Sequence, residues 1–160
     1  MNSVFLLVRV ATPADIPAML PLINEAFAVE SFLEGTRTDA DRLARTMQKG
    51  QFLLGCDSAS DLVASVYVEV RGTRGYLGML AVSSTHQGKG FGRAMVEAAE
   101  VHCRQHGCTA MDLTVLNLRS ELLPFYLKLQ YLERGTEAFH PTRPLKPDVE
   151  CHCIVMSKPL

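Results

Sequence analysis

The segment Leu80-Ala-Val-Ser-Ser-Thr-His-Gln-Gly-Lys-Gly-Phe-Gly-Arg93 holds Gly88, Gly90 and Gly92 together with the cations Lys89 and Arg93. Glycine admits positive φ and lets a ligand come close to the backbone. The first amides of a helix lack internal acceptors and carry the positive end of the helix dipole. With a strand before this turn and a helix after it, the amides from Gln87 to Arg93 make a nest for a diphosphate. A P-loop requires Gly-x-x-x-x-Gly-Lys-Ser/Thr, but Gly90-Phe91 follows Gly88-Lys89 here. A dinucleotide fold requires Gly-x-Gly-x-x-Gly after its first strand, whereas this chain has Gly-x-Gly-x-Gly at mid-chain. A diphosphate ligand therefore fits, and neither common nucleotide motif does.

Other reactive side chains are weaker signals. His102, Cys103 and His106 fall within one helical turn, but no nearby residue completes a zinc set. Imidazoles near a helix C-terminus, favoured by the dipole, are the simpler reading. No metal is expected. Cys151 and Cys153 share one face of a strand and read as small buried hydrophobes.

The elements that must position the turn follow from periodicity. Residues 3–11 read as a strand. Thr12-Pro13 opens a helix with the stripe Ile16, Leu20, Ile23 and Phe27. After an irregular Glu30–Thr38 segment, a second helix runs from Asp39 to Lys49. Strands at Gln51–Cys56, Leu62–Val70 and Tyr76–Val82 form an antiparallel meander. A helix from Gly90 to His106 follows, with Phe91, Ala94, Met95, Ala98 and Val101 on its stripe and Gly107 at its end. Thr109–Leu116 is a buried strand, Pro124–Leu129 a short helix, and Tyr131–Phe139 and Cys151–Ser157 are closing strands. Tyr76–Val82, the helix and Thr109–Leu116 make one β-α-β unit, so those two strands are parallel neighbours. No repeat or linker divides the 160 residues, which read as one domain.

Gln87-Gly88-Lys89-Gly90-Phe91-Gly92 matches the Gln/Arg-x-x-Gly-x-Gly/Ala signature of the GNAT superfamily of N-acetyltransferases, which the chain closely resembles. Asn117 and the run Leu123-Pro-Phe-Tyr-Leu-Lys-Leu-Gln-Tyr131 are similar to that family's Asn…Phe-Tyr-x-x-x-Gly-Phe/Tyr segment. Gln130 stands where the family tends to have glycine, at a cost on the order of 1 kcal/mol if the position is left-handed.

The resemblance implies an α/β (α+β) fold: a twisted, mostly antiparallel mixed sheet with one splayed parallel pair and helices on both faces. It implies acetyl-CoA as donor and a primary amine, on a small molecule or a peptide, as acceptor. Leu80, Ala81 and Val82 stand where the family binds pantetheine, and that strand must then splay from Thr109–Leu116, with Gly78 beside Met79 as a place for a bulge. The implied cofactor contacts are Leu80, Ala81, Val82, Gln87, Gly88, Lys89, Gly90, Phe91, Gly92, Arg93, Asn117 and Tyr126. Tyr126 occupies the position of a general acid, and a neutral phenol near pKa ~10 is a suitable donor to a thiolate near ~8.5. Glu69, on the more polar face of its strand, is the best single base candidate. Glu30 and Glu34 sit where the acceptor site begins and could attract a cationic amine. The far wall of the site falls to Val29–Thr38 and Phe139–Val149.

Composition sets the remaining bounds. Sixteen basic and seventeen acidic residues leave a formal charge of −1, too little for a general nucleic-acid binder or an anionic membrane surface. Five cysteines, an odd number, read as free thiols in a reducing compartment. The opening MNSVFLLVRV has an apolar run too short for a signal segment or a span. The expectation is a cytoplasmic enzyme, with a homodimer left open. Its rivals are a non-catalytic CoA-binding regulatory module and a nucleotide-phosphate binder.

Overall fold

The computed structural model describes residues 5–160. Ser3 and Val4, expected to begin the first strand, lie outside the described residues. The strands are β1 (Leu7–Val10), β2 (Gln51–Cys56), β3 (Leu62–Arg71), β4 (Arg74–Val82), β5 (Ala110–Leu116), β6 (Leu132–Ala138) and β7 (His152–Pro159). The helices are α1 (Ile16–Phe27), α2 (Ala40–Lys49), α3 (Phe91–Gln105) and α4 (Leu122–Lys128). One seven-stranded sheet runs in the order β1-β2-β3-β4-β5-β7-β6. Among the described residues its only parallel pair is β4–β5, and the others are antiparallel. The mixed fold expected from the sequence is the one observed. No described helix is long and apolar enough to cross a membrane.

Alternation along β3 explains why helices cover both faces. Ala64, Val66 and Val68 face one layer with Met95, Val96, Ala99 and Cys103 of α3. Tyr67 faces the opposite layer with Met19 and Ile23 of α1 and Leu43 of α2. Every second side chain therefore buries against a different helix. Close approach of α3 to β4 requires Gly75, where an added Cβ would lie 2.6 Å from Cys103 Sγ.

Two helical faces differ from expectation. In α1 the buried residues are Met19, Leu22 and Ile23, while Ile16, Leu20 and Phe27 are only partly buried. That helix packs on both the sheet and α2, which widens and turns its buried face. In α3 Val101 is 47% exposed, and Val96, Ala99, Glu100 and Cys103 are buried instead. The inward turn is bound up with Glu100, whose carboxylate accepts from Tyr131 Oη at 2.8 Å and from Lys158 Nζ at 3.1 Å. A carboxylate so paired can enter the core, whereas an unpaired one would be strongly penalised.

Leu129 caps α4, and the next residue, Gln130, has φ 76°, in the left-handed region. Its side chain makes this costly, as the glycine expected there suggested. Gln130→Gly should raise stability by up to about 1 kcal/mol. Urea unfolding monitored by circular dichroism checks this, through a higher midpoint at unchanged m-value.

Candidate active site

Parallel pairing of β4 with β5 lasts only from Arg74↔Ala110 to Tyr76↔Asp112. Beyond it each strand follows its other neighbour: β4 stays on β3 to Val82, and β5 stays on β7 to Leu116. A bulge helps them part. Tyr67 pairs with Gly78 and Ser65 with Ala81, so Val66 faces both Met79 and Leu80. Met79 takes φ 50° there, one residue beyond the glycine expected to mark the bulge. Between the diverging strands lies a cavity of about 370 Å³. Leu77 to Leu80 line one side and Leu113 to Leu116 the other, with Tyr76 and Tyr126 also on its wall. The side of β4 turned towards β5 is left without a strand partner beyond Tyr76.

Leaving β4, the chain makes a short turn at Ser84–His86 and enters the glycines. Gly88 has φ 76° and Gly90, the N-cap of α3, has φ 85°. Among the described residues, no acceptor meets the amides of Gln87 through Arg93; the first α3 bond is Ala94 N to Gly90 O at 3.1 Å. Seven consecutive amides are thus left without an acceptor at or just before the positive end of a fifteen-residue helix. Lys89 is exposed, and Arg93 pairs with Glu97 at 3.0 Å. The Phe91 ring is buried, so that residue offers the nest only its amide. Gln87 spans the turn, its Nε2 donating to Val82 O at 3.4 Å.

Tyr126, on α4, is 5% exposed and stands edge-on to Phe125 and Tyr131, at ring separations of 4.9 and 5.8 Å. Burial pushes its phenol above the usual tyrosine value, with Arg119 opposing the shift and Tyr76 adding to it. It therefore keeps its proton through neutral and mildly alkaline pH. Asn117 is occupied by the fold: its Oδ1 accepts from His152 N at 2.8 Å, and its own N–H donates to His152 O. Its Oδ1 thereby secures β5 to β7, and its Nδ2 meets no acceptor among the described residues.

The two segments expected to form the far wall meet beside the cavity. Leu33 bridges Leu145, Glu34 N donates to Pro144 O, and Lys146 N donates to Phe32 O. These bonds stitch the segment after α1 to the proline-rich loop before β7. Glu30 lines the cavity but is 5% exposed and engaged twice: Arg119 Nη1 donates to it at 3.0 Å and Arg143 Nη2 at 2.7 Å. It is a clamp for two loops, not a free carboxylate awaiting an amine. Glu34 is exposed and lies off the cavity. Glu69 also lies off the cavity lining, accepting from Tyr67 Oη at 2.7 Å and from Arg71 Nε at 3.0 Å. The Arg71 bond holds its carboxyl below the usual range, against a desolvation effect of opposite sign. A carboxylate so engaged is a poor base. The sequence reading missed Arg37, Arg119 and Arg143, all on the cavity wall. His102 and His106 stack at 4.4 Å at the end of α3, with His106 Nδ1 2.8 Å from His102 O.

Residues 17–131 match the family model described as the acetyltransferase (GNAT) family. A mycothiol acetyltransferase of Propionibacterium freudenreichii is 27% identical over 136 residues, covering 79% of this chain and 44% of that protein. The chain thus spans less than half the length of this relative. The ribosomal-protein-S18-alanine N-acetyltransferase of Escherichia coli has a similar structure, with TM-score 0.76 at 17% identity over 97% of this chain and 94% of that one. A phosphinothricin acetyltransferase of Sinorhizobium meliloti, solved with AcCoA, gives 0.77 at 15% identity over 97% and 88%. At such identities the likeness concerns the fold.

Glu30→Ala should destabilise the protein by about 3 kcal/mol or more, because it strands the buried Arg143 guanidinium. A thermal melt checks this, and an unchanged midpoint would show that the clamp contributes nothing.

Proposed function

We propose, from the premise that the chain belongs to the GNAT acetyltransferase family, that it moves the acetyl group of acetyl-CoA onto an amine by direct attack. The observation that carries this reading is the junction of two features. A parted strand pair leaves one side of β4 unpaired, and past the short Ser84–His86 turn the chain reaches seven amides that have no acceptor among the described residues. The amides of Gln87 to Arg93 suit a diphosphate, and the open side of Leu80, Ala81 and Val82 suits the amide-bearing pantetheine arm as an added strand. Acetyl-CoA supplies an activated thioester. In the overall exchange an N–C bond forms, the C–S bond breaks, the nitrogen loses a proton and the sulfur gains one.

The chain's own groups have defined parts in this. Tyr126 holds its proton against titration and lines the cavity, so it is the donor to the departing sulfur. Backbone N–H groups at the Met79–Leu80 bulge supply a dipole for the carbonyl oxygen. The amine loses its proton to water or to backbone carbonyls, since Glu69 is engaged by Arg71 and Tyr67.

Two substitutions separate donor binding from chemistry. Tyr126→Phe should lower kcat by about 100-fold and leave KM for acetyl-CoA within about twofold, measured as thiol release with an amine panel. Unchanged turnover would remove Tyr126 from the mechanism. Gly90→Ala, which strains φ 85° and redirects the adjacent amides, should raise that KM by about tenfold with kcat little changed. Binding of acetyl-CoA without thiol release for any amine would overturn the transferase reading, and a thermal shift with ATP alone would overturn the choice of donor.

A further inference from the structure

The acceptor wall is cationic, and one of its cations has no partner. Three arginines and two carboxylates, Glu30 and Glu137, lie on the cavity lining, with His140 beside them. Glu137 is exposed. Arg119 is matched twice, by Glu30 at 3.0 Å and by Glu121 at 2.6 Å. Arg143 is 7% exposed, and donates to Glu30 at 2.7 Å and to Gly35 O at 3.1 Å, while its buried Nε meets no acceptor. Arg37 is half-buried and, among the described residues, makes no hydrogen bond and no ion pair. Its guanidinium lies 5.3 Å from the centre of the Phe27 ring, a contact that orients it without neutralising it.

A guanidinium withdrawn from water with no anion beside it is penalised. Burial presses the Arg37 pKa downward, with Arg143 adding to the shift and Glu30 opposing it in part, yet arginine keeps its charge at any ordinary pH. Glu30 relieves it only through space, because both carboxylate oxygens take hydrogen bonds from the other two arginines. Arg37 is also far from interchangeable with a solvated surface cation: it lines the same cavity as Tyr126 and the open side of β4. Its planar donors match a carboxylate in a two-point contact.

We infer that the acceptor is an amine that also carries a carboxylate, of the amino-acid class, and that Arg37 binds this carboxylate and sets specificity. The inference rests on the acetyl-transfer reading above and narrows its acceptor. It also adds an anionic group to the acceptor, where the sequence reading had only Glu30 and Glu34 as groups that could attract a cationic amine. The cavity of about 370 Å³ suits a compact acceptor beside the donor's thiol end.

The test uses matched acceptors and a second readout that needs no turnover. Each of a set of L-amino acids is compared with its own carboxamide by thiol release from acetyl-CoA. Wild-type kcat/KM should favour the free acid by at least about tenfold. In Arg37→Met that ratio should fall to about one, and Arg37→Lys should restore part of it. Arg37→Met removes an unpaired charge, so its melting temperature should match or exceed the wild type. The preferred N-acetyl-amino acid should raise the melting temperature of the wild type and not that of Arg37→Met. Carboxamides or polyamines turned over as well as the acids would overturn the inference and leave acetyl transfer standing. An Arg37-dependent shift by the acid, without thiol release from any amine, would sustain the anion site and overturn the transfer reading. Neither an acid preference nor a shift would remove Arg37 from recognition.

Discussion

A β-strand whose neighbour leaves must find other partners for its peptide groups, and the parting of β4 from β5 creates that demand where it is useful. After Tyr76↔Asp112 the two strands obey their other neighbours, and the bulge opposite Val66 turns β4 aside. The resulting gap is no packing fault. Apolar residues of both strands line it, and Tyr126 closes part of its wall. Because buried backbone donors and acceptors are seldom left unpaired, an extended amide-bearing ligand is the natural complement of that open side. The glycine turn continues the same logic at the next seven residues, where the helix start supplies amides that the chain itself does not use.

The acceptor side is held by a different force. Glu30, Arg119 and Arg143 come from three separate segments, and Glu30 and Arg143 are 113 residues apart in sequence. Their charges are withdrawn from water, so the contacts are stabilising only while all remain together. Main-chain bonds between residues 32–34 and 144–146 run alongside them. The wall of the site is thus an ion cluster fastened between two otherwise irregular loops.

Much of the strand, glycine turn and helix was legible in the sequence, because their signals are local. Strand, glycines and helix are contiguous from Arg74 to Gln105, and the left-handed Gln130 announced itself by standing in a glycine's place. Element order was likewise readable from periodicity. The errors share one cause, which is distance along the chain. Val101 was placed inward and Glu100 was not considered, because the partners that admit Glu100 to the core, Tyr131 and Lys158, lie 31 and 58 residues away. Glu30 read as a loop carboxylate because nothing near it names Arg119 or Arg143. Arg37 gave no sign at all: an arginine in an irregular stretch looks solvated until the fold encloses it.

One contiguous stretch, β4 through α4, carries the parted strands, the glycine turn and Tyr126, whereas the opposing wall, Arg119 apart, is assembled from residues 30–37 and 137–143. Inheritance can therefore treat the two halves unequally. Substitutions in the loops are free to recast the wall while the strand, turn and helix beneath them stay as they were.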